Sequence, residues 1–352
     1  MSTGALARFT LSVTGMLERR RRDVIDEIRA RLSQGESNFL ERALLWASTQ
    51  APSPIAGLFG PDSMTWRIDR EGILFLAAGR ALLMQLAHPW VAQGVADHSI
   101  SLDDPIGRFH RTFSAMFNFV FGTVDQAFAA ARRLHGRHQS IQGVLQHAAG
   151  PFSAGSPYAA NHLPALRWVL LTLTDGAIAA YETALSPLTA SERDRYIAEN
   201  RLLGAMFGIP PDSLPQDWRA FETERERRLA SAELMITPPA LRIAERLVVH
   251  PPLWLIPDSF RTITARLLPE RLRQEYRLDY GPSEQRSAER TLRWIRRTYP
   301  KLPHLLRYVG PYHEALGRLR GRSAPAPVTR ALNRIWIGAA ALPGAARGEE
   351  VP

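Results

Sequence analysis

Apolar residues recur along most of this chain at intervals of three and four positions, and runs that alternate between apolar and polar residues are almost absent. The first spacing gathers apolar side chains on one face of a helix, whereas alternation is typical of a strand. The pattern therefore predicts an all-α protein, with helices near residues 8–33, 37–49, 68–87, 105–121, 124–148, 162–185, 190–206, 217–234, 238–249, 259–267, 284–298, 302–320 and 327–338.

Proline and glycine mark the connections between these helices, and they bear on the number of domains. Prolines cluster between residues 238 and 257, which we interpret as loop-rich packing within one domain rather than as a boundary. The 352 residues suffice for one large multi-helix domain. Residues 339–352 are small and rich in glycine and proline, so they are predicted to form a disordered tail.

The net charge of +10 comes almost entirely from arginine, since Lys301 is the only lysine. Such a charge favours anionic partners, but the densest run, Arg19 to Arg22, lies beside acidic residues on a helical pattern and is typical of a solvated surface. Because no nucleic-acid-binding module is recognisable, nucleic acid is not expected as a partner. Contact with a membrane surface through arginine-rich amphipathic helices stays open.

The most apolar segment, Gly72 to Ala96, contains Arg80, His88 and Pro89. These residues are unfavourable in a bilayer, so the segment is predicted to be buried core rather than a transmembrane helix. No secretory signal is recognisable, and a cytoplasmic location is therefore expected. The sequence does not predict the oligomeric state.

Cysteine is absent, which excludes disulfides, thiolate-ligated haem, iron–sulfur clusters and cysteine nucleophiles from this chain. No histidine follows a glutamate at the Glu-x-x-His spacing of di-iron carboxylate bundles. The zinc motif His-Glu-x-x-His, the phosphate-binding loop and the Gly-x-Ser-x-Gly nucleophile elbow are also absent.

The polar residues that could carry chemistry lie on two consecutive predicted helices, 105–121 and 124–148. Arg108, Arg111 and Thr112 have the spacing i, i+3 and i+4 and share one helix face, which either borders solvent or opposes an anionic or oxygen-rich group. His135 and His138 lie on the next helix. The short connection predicts an antiparallel hairpin that brings both sets to a common pocket. A mononuclear metal site formed by His110, His135 and His138 is an alternative.

Several ordered motifs resemble the MpaB-type oxygenase family, which includes the latex-clearing rubber oxygenases, over roughly residues 60–260. The resemblance implies a helical fold with an enlarged globin-like core and haem b held by one histidine. The motifs that carry it are Arg80 to Pro89, Val95 to Ser99, Arg108 to Thr112, His138 to Gly143, Tyr158 to Asn161, Arg167 to Val169, Tyr181-Glu182 and Leu214 to Phe221.

The resemblance assigns His138 as the iron ligand, because the family has an aliphatic residue at +3 and glycine at +5 after that histidine. His135 does not match this pattern and is the second choice. Arg108 and Thr112 match the distal residues of the relatives, whereas Arg111 stands where they have lysine. An arginine is a poor sixth ligand, so we expect Arg111 to donate hydrogen bonds or to bind a propionate. The glutamate base of rubber-cleaving relatives has no assigned counterpart, which argues against polyisoprene as the substrate.

The expected function is therefore a haem b-dependent oxygenase that acts with dioxygen on a hydrophobic organic substrate. In this interpretation Arg108, Arg111 and Thr112 are catalytic, while His88, His98, Tyr158 and Trp168 support the pocket. The chain divides into an N-terminal helical extension (1–55), an oxygenase-like core (56–260), C-terminal helices packed on it (261–338) and the tail. The alternative function is a non-catalytic helical protein that binds a lipid or isoprenoid.

Overall fold

The computed structural model describes residue 26 and residues 38–98, 104–249 and 258–344. These parts of the chain are predominantly helical, which confirms the predicted all-α class. The α-helices are α1 (Asn38–Gln50), α2 (Met64–Asp69), α3 (Ala78–Leu86), α4 (Pro89–His98), α5 (Pro105–Phe121), α6 (Val124–Gln139), α7 (Leu163–Ala184), α8 (Ala190–Met206), α9 (Trp218–Leu229), α10 (Pro238–Ala244), α11 (Asp258–Leu267), α12 (Glu270–Glu275), α13 (Pro282–Thr298), α14 (His304–Arg307), α15 (Gly310–Leu319) and α16 (Pro327–Ile337).

Shorter elements complete the fold. Two strands, β1 (Gln142–Val144) and β2 (Pro157–Ala159), pair antiparallel with Gly143 opposite Tyr158. The 3-10 helices are Gly72–Ala77, Pro211–Ser213 and Tyr299–Lys301, and a π-helical turn covers Glu245–Val249.

The predicted helix 105–121 has the bounds that the structure shows, whereas several other predictions differ from it, including the helix predicted at 302–320, which is divided into α14 and α15. The helix predicted at 124–148 ends at Gln139, because the chain turns there into the β1–β2 hairpin. The helix predicted at 68–87 is divided into α2, a 3-10 helix and α3. The sequence pattern does not predict helix α4, because a proline inside an apolar run usually ends a helix, whereas Pro89 occupies the first position of a new one. The helix predicted at 8–33 lies outside the described residues, except for Asp26, which is helical and exposed.

Helix α7 is the central element because it contributes to both large buried clusters. Leu166 and Leu170 pack into a cluster around Trp66, together with residues of α1, α5, α6, α8 and α15. Trp168 and Leu171 pack into the other, with residues of α3, α4, α10, α11 and α12. The division of the chain at residues 55 and 260 and the globin-like character of the core stay predictions.

A helix that is apolar on all sides also satisfies the length and composition test for a membrane span. Among the described residues α7 passes this test, and 61% of its most apolar window is buried inside the protein, as in the core helix of a globular fold. The bent pair Gly72–Leu86 and Pro89–His98, which turns by 103°, passes it only when the two are counted together.

Arginine neutralises the three acids that are least accessible to solvent among the described residues, Glu41, Glu71 and Asp175. Arg80 and Asp175 form an ion pair with side-chain exposures of 7% and 5%, and Arg80 also donates through Nε to the carbonyl oxygen of Leu267 at 2.7 Å. Arg307 binds Glu71 through two hydrogen bonds of 2.7 and 2.6 Å. Arg132 binds Glu41 in the same two-pronged way, at 2.8 and 2.9 Å. Arginine residues therefore neutralise buried acids through planar ion pairs, in addition to those that lie on the surface.

The connection between α5 and α6 is held from three directions. The indole Nε1 of Trp66 donates to the carbonyl oxygen of Val120 at 2.9 Å, and Arg318 donates to the carbonyl oxygen of Phe121 at 2.6 Å. Gly57, at a φ of +81°, packs so closely that a Cβ there would lie 2.1 Å from the carbonyl oxygen of Gly122. The turn at Gly122 is therefore fixed in place by the surrounding chain.

Residues 339–344 belong to the predicted disordered tail, but the structure packs them on α15. Leu342 is 4% exposed, and its N–H lies 3.0 Å from the carboxylate of Glu314. The sequence prediction relied on the small residues of this segment and could not anticipate a carboxylate partner. Residues 345–352 lie outside the described part of the chain.

Replacing Asp175 by asparagine should destabilise the protein by about 3 kcal/mol, because Arg80 would keep a buried charge without a counter-ion. The free energy of unfolding from urea denaturation measures the effect. Asp212→Asn is the matched control, since Asp212 pairs with Arg201 while 94% exposed, and it should change stability by less than about 0.5 kcal/mol. Equal effects of the two substitutions would contradict a stabilising role for the buried pair.

Candidate active site

Helix α5 begins at a proline and is capped by the preceding acid. Asp104 accepts a hydrogen bond from the backbone N–H of Gly107 at 2.8 Å. Pro105 lacks a backbone N–H, which is tolerated at the first helical position because an N–H there would have no acceptor within the helix. The same carboxylate receives the guanidinium of Arg111 at 3.3 Å, with both side chains about half exposed. Arg111 is therefore held at the exposed start of its own helix.

Arg108 and Thr112 share the helix face with Arg111 but differ in environment. Thr112 is exposed, whereas Arg108 is only partly accessible. Burial lowers the pKa of the Arg108 guanidinium, and the positive charge of Arg111 lowers it further. Of the three predicted distal residues, Arg108 is thus the cation in a desolvated environment, where a hydrogen bond to an oxygen ligand has its largest effect.

His135 and His138 lie on the face of α6 that also carries the buried residues Val124, Ala127 and Ala131. Burial lowers the pKa of His138 to about 4, although a hydrogen bond with Asn161 acts in the opposite direction. Burial also lowers the pKa of His135. At neutral pH the His138 imidazole is therefore uncharged, which is the form that binds a metal ion.

Asn161 connects the two histidines. Its Nδ2 donates to the carbonyl oxygen of His135 at 3.1 Å, and its side chain is hydrogen-bonded to the imidazole of His138. The β1–β2 hairpin places Asn161 there, because the N–H of Ala160 donates to the carbonyl oxygen of Ile141 at 2.9 Å. Asn161 belongs to a motif recognised in the sequence, but its role depends on a hairpin that the pattern did not predict.

The Nδ1 atom of His135 is buried and has no hydrogen-bond partner among the described residues. An unsatisfied buried nitrogen is unfavourable unless a bound molecule completes its contacts. Two imidazoles, one hydrogen-bonded to Asn161 and one with an unsatisfied Nδ1, therefore lie one helical turn apart on α6.

The antiparallel hairpin predicted from the sequence is present. Arg108 precedes Gly122 by fourteen positions and His138 follows it by sixteen, so both residues lie near the end of the hairpin remote from the turn. At the rise of an α-helix these separations correspond to about 21 Å and about 24 Å. The fold thus brings the predicted distal and proximal residues to the same level along the hairpin axis.

His110 does not join the other histidines, in contrast to the predicted three-histidine metal site. Its Nε2 lies 3.1 Å from the carbonyl oxygen of Ile335 on α16, and its ring packs on Gly338, where a Cβ would lie 2.7 Å from Nδ1. Within the described ranges no group of three or more His, Asp and Glu residues could hold a metal ion. The alternative of a metal site with three protein ligands is therefore not supported.

Half-buried aromatic rings line the other side of α5. Phe109 and Phe113 lie 5.5 and 6.4 Å from Phe75, measured between ring centroids, and Phe260 stacks on Phe75 at 5.9 Å. Trp336 of α16 lies 6.3 Å from Phe109. This aromatic cluster gives the region around α5 an apolar wall, which suits a hydrophobic ligand.

The four residues expected to support the pocket are satisfied by protein contacts. Trp168 donates to the carbonyl oxygen of Met84 at 2.8 Å, and Tyr158 donates to Asp97 at 2.7 Å. His98 lies 3.1 Å from the carbonyl oxygen of Gln142. His88 is 2% exposed, and its Nδ1 accepts from the backbone N–H of Trp90 at 3.3 Å.

A separate cleft lies between α7, α8 and α9. It encloses about 410 Å³, including the solvent at its mouth, and is lined by six apolar and five polar residues, with Arg167, Arg201 and Glu224 among the latter. None of the predicted site residues lines this cleft.

Comparison with known families gives one match. The family described as "ER-bound oxygenase mpaB/B'/Rubber oxygenase, catalytic domain" matches residues 65–297, about two thirds of the chain. The matched range includes α5, α6, the β1–β2 hairpin and α7. No curated protein and no solved structure shows significant similarity to the chain.

The pH dependence of stability should depend on His88. Burial, together with the nearby Arg228 and His162, lowers its pKa from 6.5 to about 4. Between those pH values the unfolded state takes up a proton that the folded state refuses, so acid favours unfolding. As pH falls from 6.5 to 4, the stability advantage of the wild type over His88→Gln should shrink by about 2–3 kcal/mol. Urea denaturation across this range measures it, with His147→Gln at an exposed position as control; a constant difference for His88→Gln would contradict the prediction.

Proposed function

The chain belongs to the mpaB/rubber oxygenase catalytic-domain family, and we propose that it is an oxygenase that binds one haem b through His138. The observation that carries this proposal is a neutral imidazole on the buried face of α6, hydrogen-bonded to Asn161. An axial imidazole ligand needs a free electron pair on one ring nitrogen, and a hydrogen bond at the other ring nitrogen fixes the orientation of the ring. The haem, when bound, supplies the iron at which dioxygen is activated.

The donor set of this chain fits a histidine-ligated haem. Cysteine is absent, so a thiolate ligand is excluded and an imidazole is the strongest iron ligand that the chain offers. The buried Nδ1 of His135, one turn before His138, has no described partner. It is available to a polar group of the cofactor or to water, while His138 binds the iron.

Arg108 and Thr112 would donate hydrogen bonds to oxygen on the side of the pocket formed by α5. The partly desolvated guanidinium of Arg108 is the stronger donor, because its charge is poorly screened there. Arg111 is held by Asp104 at 3.3 Å and cannot act as a base, since arginine stays protonated. Arg111 therefore supplies a permanent positive charge, whereas the lysine of the relatives supplies an amine that could ligate the iron.

The substrate that fits this site is a hydrophobic organic molecule. Phe75, Phe109, Phe113 and Trp336 form an apolar wall beside α5, and such a wall binds ligands by excluding water. The three acids least accessible to solvent among the described residues are each bound by arginine. The glutamate base of rubber-cleaving relatives has no counterpart that the family motifs assign in this chain, so polyisoprene is not the substrate that we propose.

Purified protein supplied with haem should show a Soret band that His138→Ala abolishes or strongly shifts, because the iron loses its protein ligand. His135→Ala is the matched control on the same face of α6, and it should keep the band. The absorption spectrum and the haem content are measured together, with circular dichroism to show that both variants fold. Wild-type protein that stays colourless would reject the proposal and favour a non-catalytic lipid- or isoprenoid-binding protein.

Arg108→Gln should weaken the binding of cyanide to the ferric protein by about 10- to 100-fold, because a charged donor beside the bound anion is lost. Arg111→Gln removes an exposed arginine that is held by Asp104, and it should change affinity by less than about threefold. Spectrophotometric titration gives both affinities. If the two variants behave alike, Arg108 does not face the ligand.

A further inference from the structure

The outer face of α13 carries a continuous stripe of positive charge. Arg286, Arg290, Arg293 and Arg297 are all exposed, and their spacing places them on the side of the helix opposite the buried residues Ala288, Leu292 and Ile295. None of these four arginines forms an ion pair with a described residue. Their charge is therefore available to a partner outside the chain.

Trp294 lies within this stripe and is 66% exposed, more than most large apolar side chains of the described chain. The 3-10 helix Tyr299–Lys301 follows α13 directly. Trp294, Arg297 and Lys301 therefore have the spacing i, i+3 and i+7 and continue along the same face. The only lysine of the chain thus extends the arginine stripe.

The segment after α13 exposes three leucines within five residues. Residues 300–306 are all exposed, and Leu302, Leu305 and Leu306 are 39%, 42% and 68% accessible. Between residues 290 and 307 the sequence contains six basic residues and no acid. We call Trp294, the three leucines and the surrounding cations Arg286, Arg290, Arg293, Arg297 and Lys301 the Trp–Leu surface.

We propose that the Trp–Leu surface docks the protein on an anionic lipid bilayer. Tryptophan and leucine insert at the boundary between headgroups and acyl chains, while arginine and lysine extend their charged ends toward lipid phosphates. Each basic residue near an anionic membrane adds to the attraction. A protein partner would need acidic residues to match this charge, and a nucleic acid would leave the leucines exposed to water. An anionic lipid surface matches both the positive charge and the exposed apolar side chains.

The position of this surface relative to the aromatic cluster supports the assignment. Gly72 lies between the aromatic cluster and the residue that directly follows the exposed leucines, since a Cβ there would be 3.1 Å from the ring of Trp336 and 3.2 Å from the carbonyl oxygen of Arg307. Arg307 follows the exposed leucines and is anchored to the buried Glu71 at 2.6 Å. A membrane bound at the Trp–Leu surface would therefore lie next to the apolar wall beside α5.

Sedimentation with phospholipid vesicles tests the proposal on the full chain. The protein should bind vesicles of phosphatidylcholine that contain about one third phosphatidylglycerol, and it should bind pure phosphatidylcholine much more weakly. Arg293→Gln/Arg297→Gln/Lys301→Gln should lower the partition coefficient at least about tenfold. Leu305→Ser/Leu306→Ser should weaken binding at high salt as well, because insertion of apolar groups is not screened.

Matched controls carry the same changes at exposed positions elsewhere. Arg219→Gln/Arg320→Gln/Arg322→Gln removes the same charge, and Phe39→Ser/Val144→Ser removes residues that are 58% and 54% exposed. Neither control should change binding more than about twofold if the Trp–Leu surface is the contact. Equal losses in test and control variants would overturn the proposal.

Lys301 provides a direct readout of the contact, because it is the only lysine in the chain. An amine-reactive reagent labels its exposed side chain, and mass spectrometry measures the rate. Anionic vesicles should slow this labelling in proportion to the bound fraction. The proposal would be overturned if vesicles do not change the labelling rate. It would also be overturned if sedimentation equilibrium shows a dimer that Leu305→Ser/Leu306→Ser dissociates, because the surface would then bind a second copy of the chain. Neither assay depends on haem, so this test is independent of the proposed function.

Discussion

The turn between α5 and α6 is the constraint on which the candidate site depends. Two consecutive carbonyl groups before the turn accept hydrogen bonds from Trp66 and Arg318, which come from opposite ends of the described chain. Gly57 closes the third side, where any side chain would collide with the backbone at Gly122. Because the turn is fixed, α5 and α6 must run back from it side by side. The polar residues at their far ends then share one level of the fold.

Removal of water by this fold changes the pKa values of the polar residues at the candidate site. Burial keeps His138 neutral and lowers the pKa of Arg108, so the proposed iron ligand and the proposed hydrogen-bond donor owe their states to the same exclusion of water. Asn161 adds orientation, since it joins the backbone of His135 to the His138 ring. The β1–β2 hairpin is a small element, yet it delivers this amide to α6.

The elements that could be predicted from the sequence are those fixed by local signals. Helix α5 has a proline start and an apolar stripe, and α8 has a complete capping box in which Thr189 and Glu192 bind each other's backbone. The hairpin was missed because strands of three residues carry too little periodicity. The attachment of His110 to Ile335 and the role of Asn161 arise between segments far apart in sequence. Family resemblance singled out His138, whereas spacing alone did not separate it from His135.

The central claim is that one haem is held between α5 and α6 by His138. A crystal structure of the haem-loaded protein tests it most directly, because the iron, its ligands and the propionates are all visible in one density map. The account predicts an iron atom bonded to the His138 imidazole, with Arg108 on the opposite face of the porphyrin. Iron ligated by His135 or His110, or haem bound in the cleft between α7, α8 and α9, would contradict it.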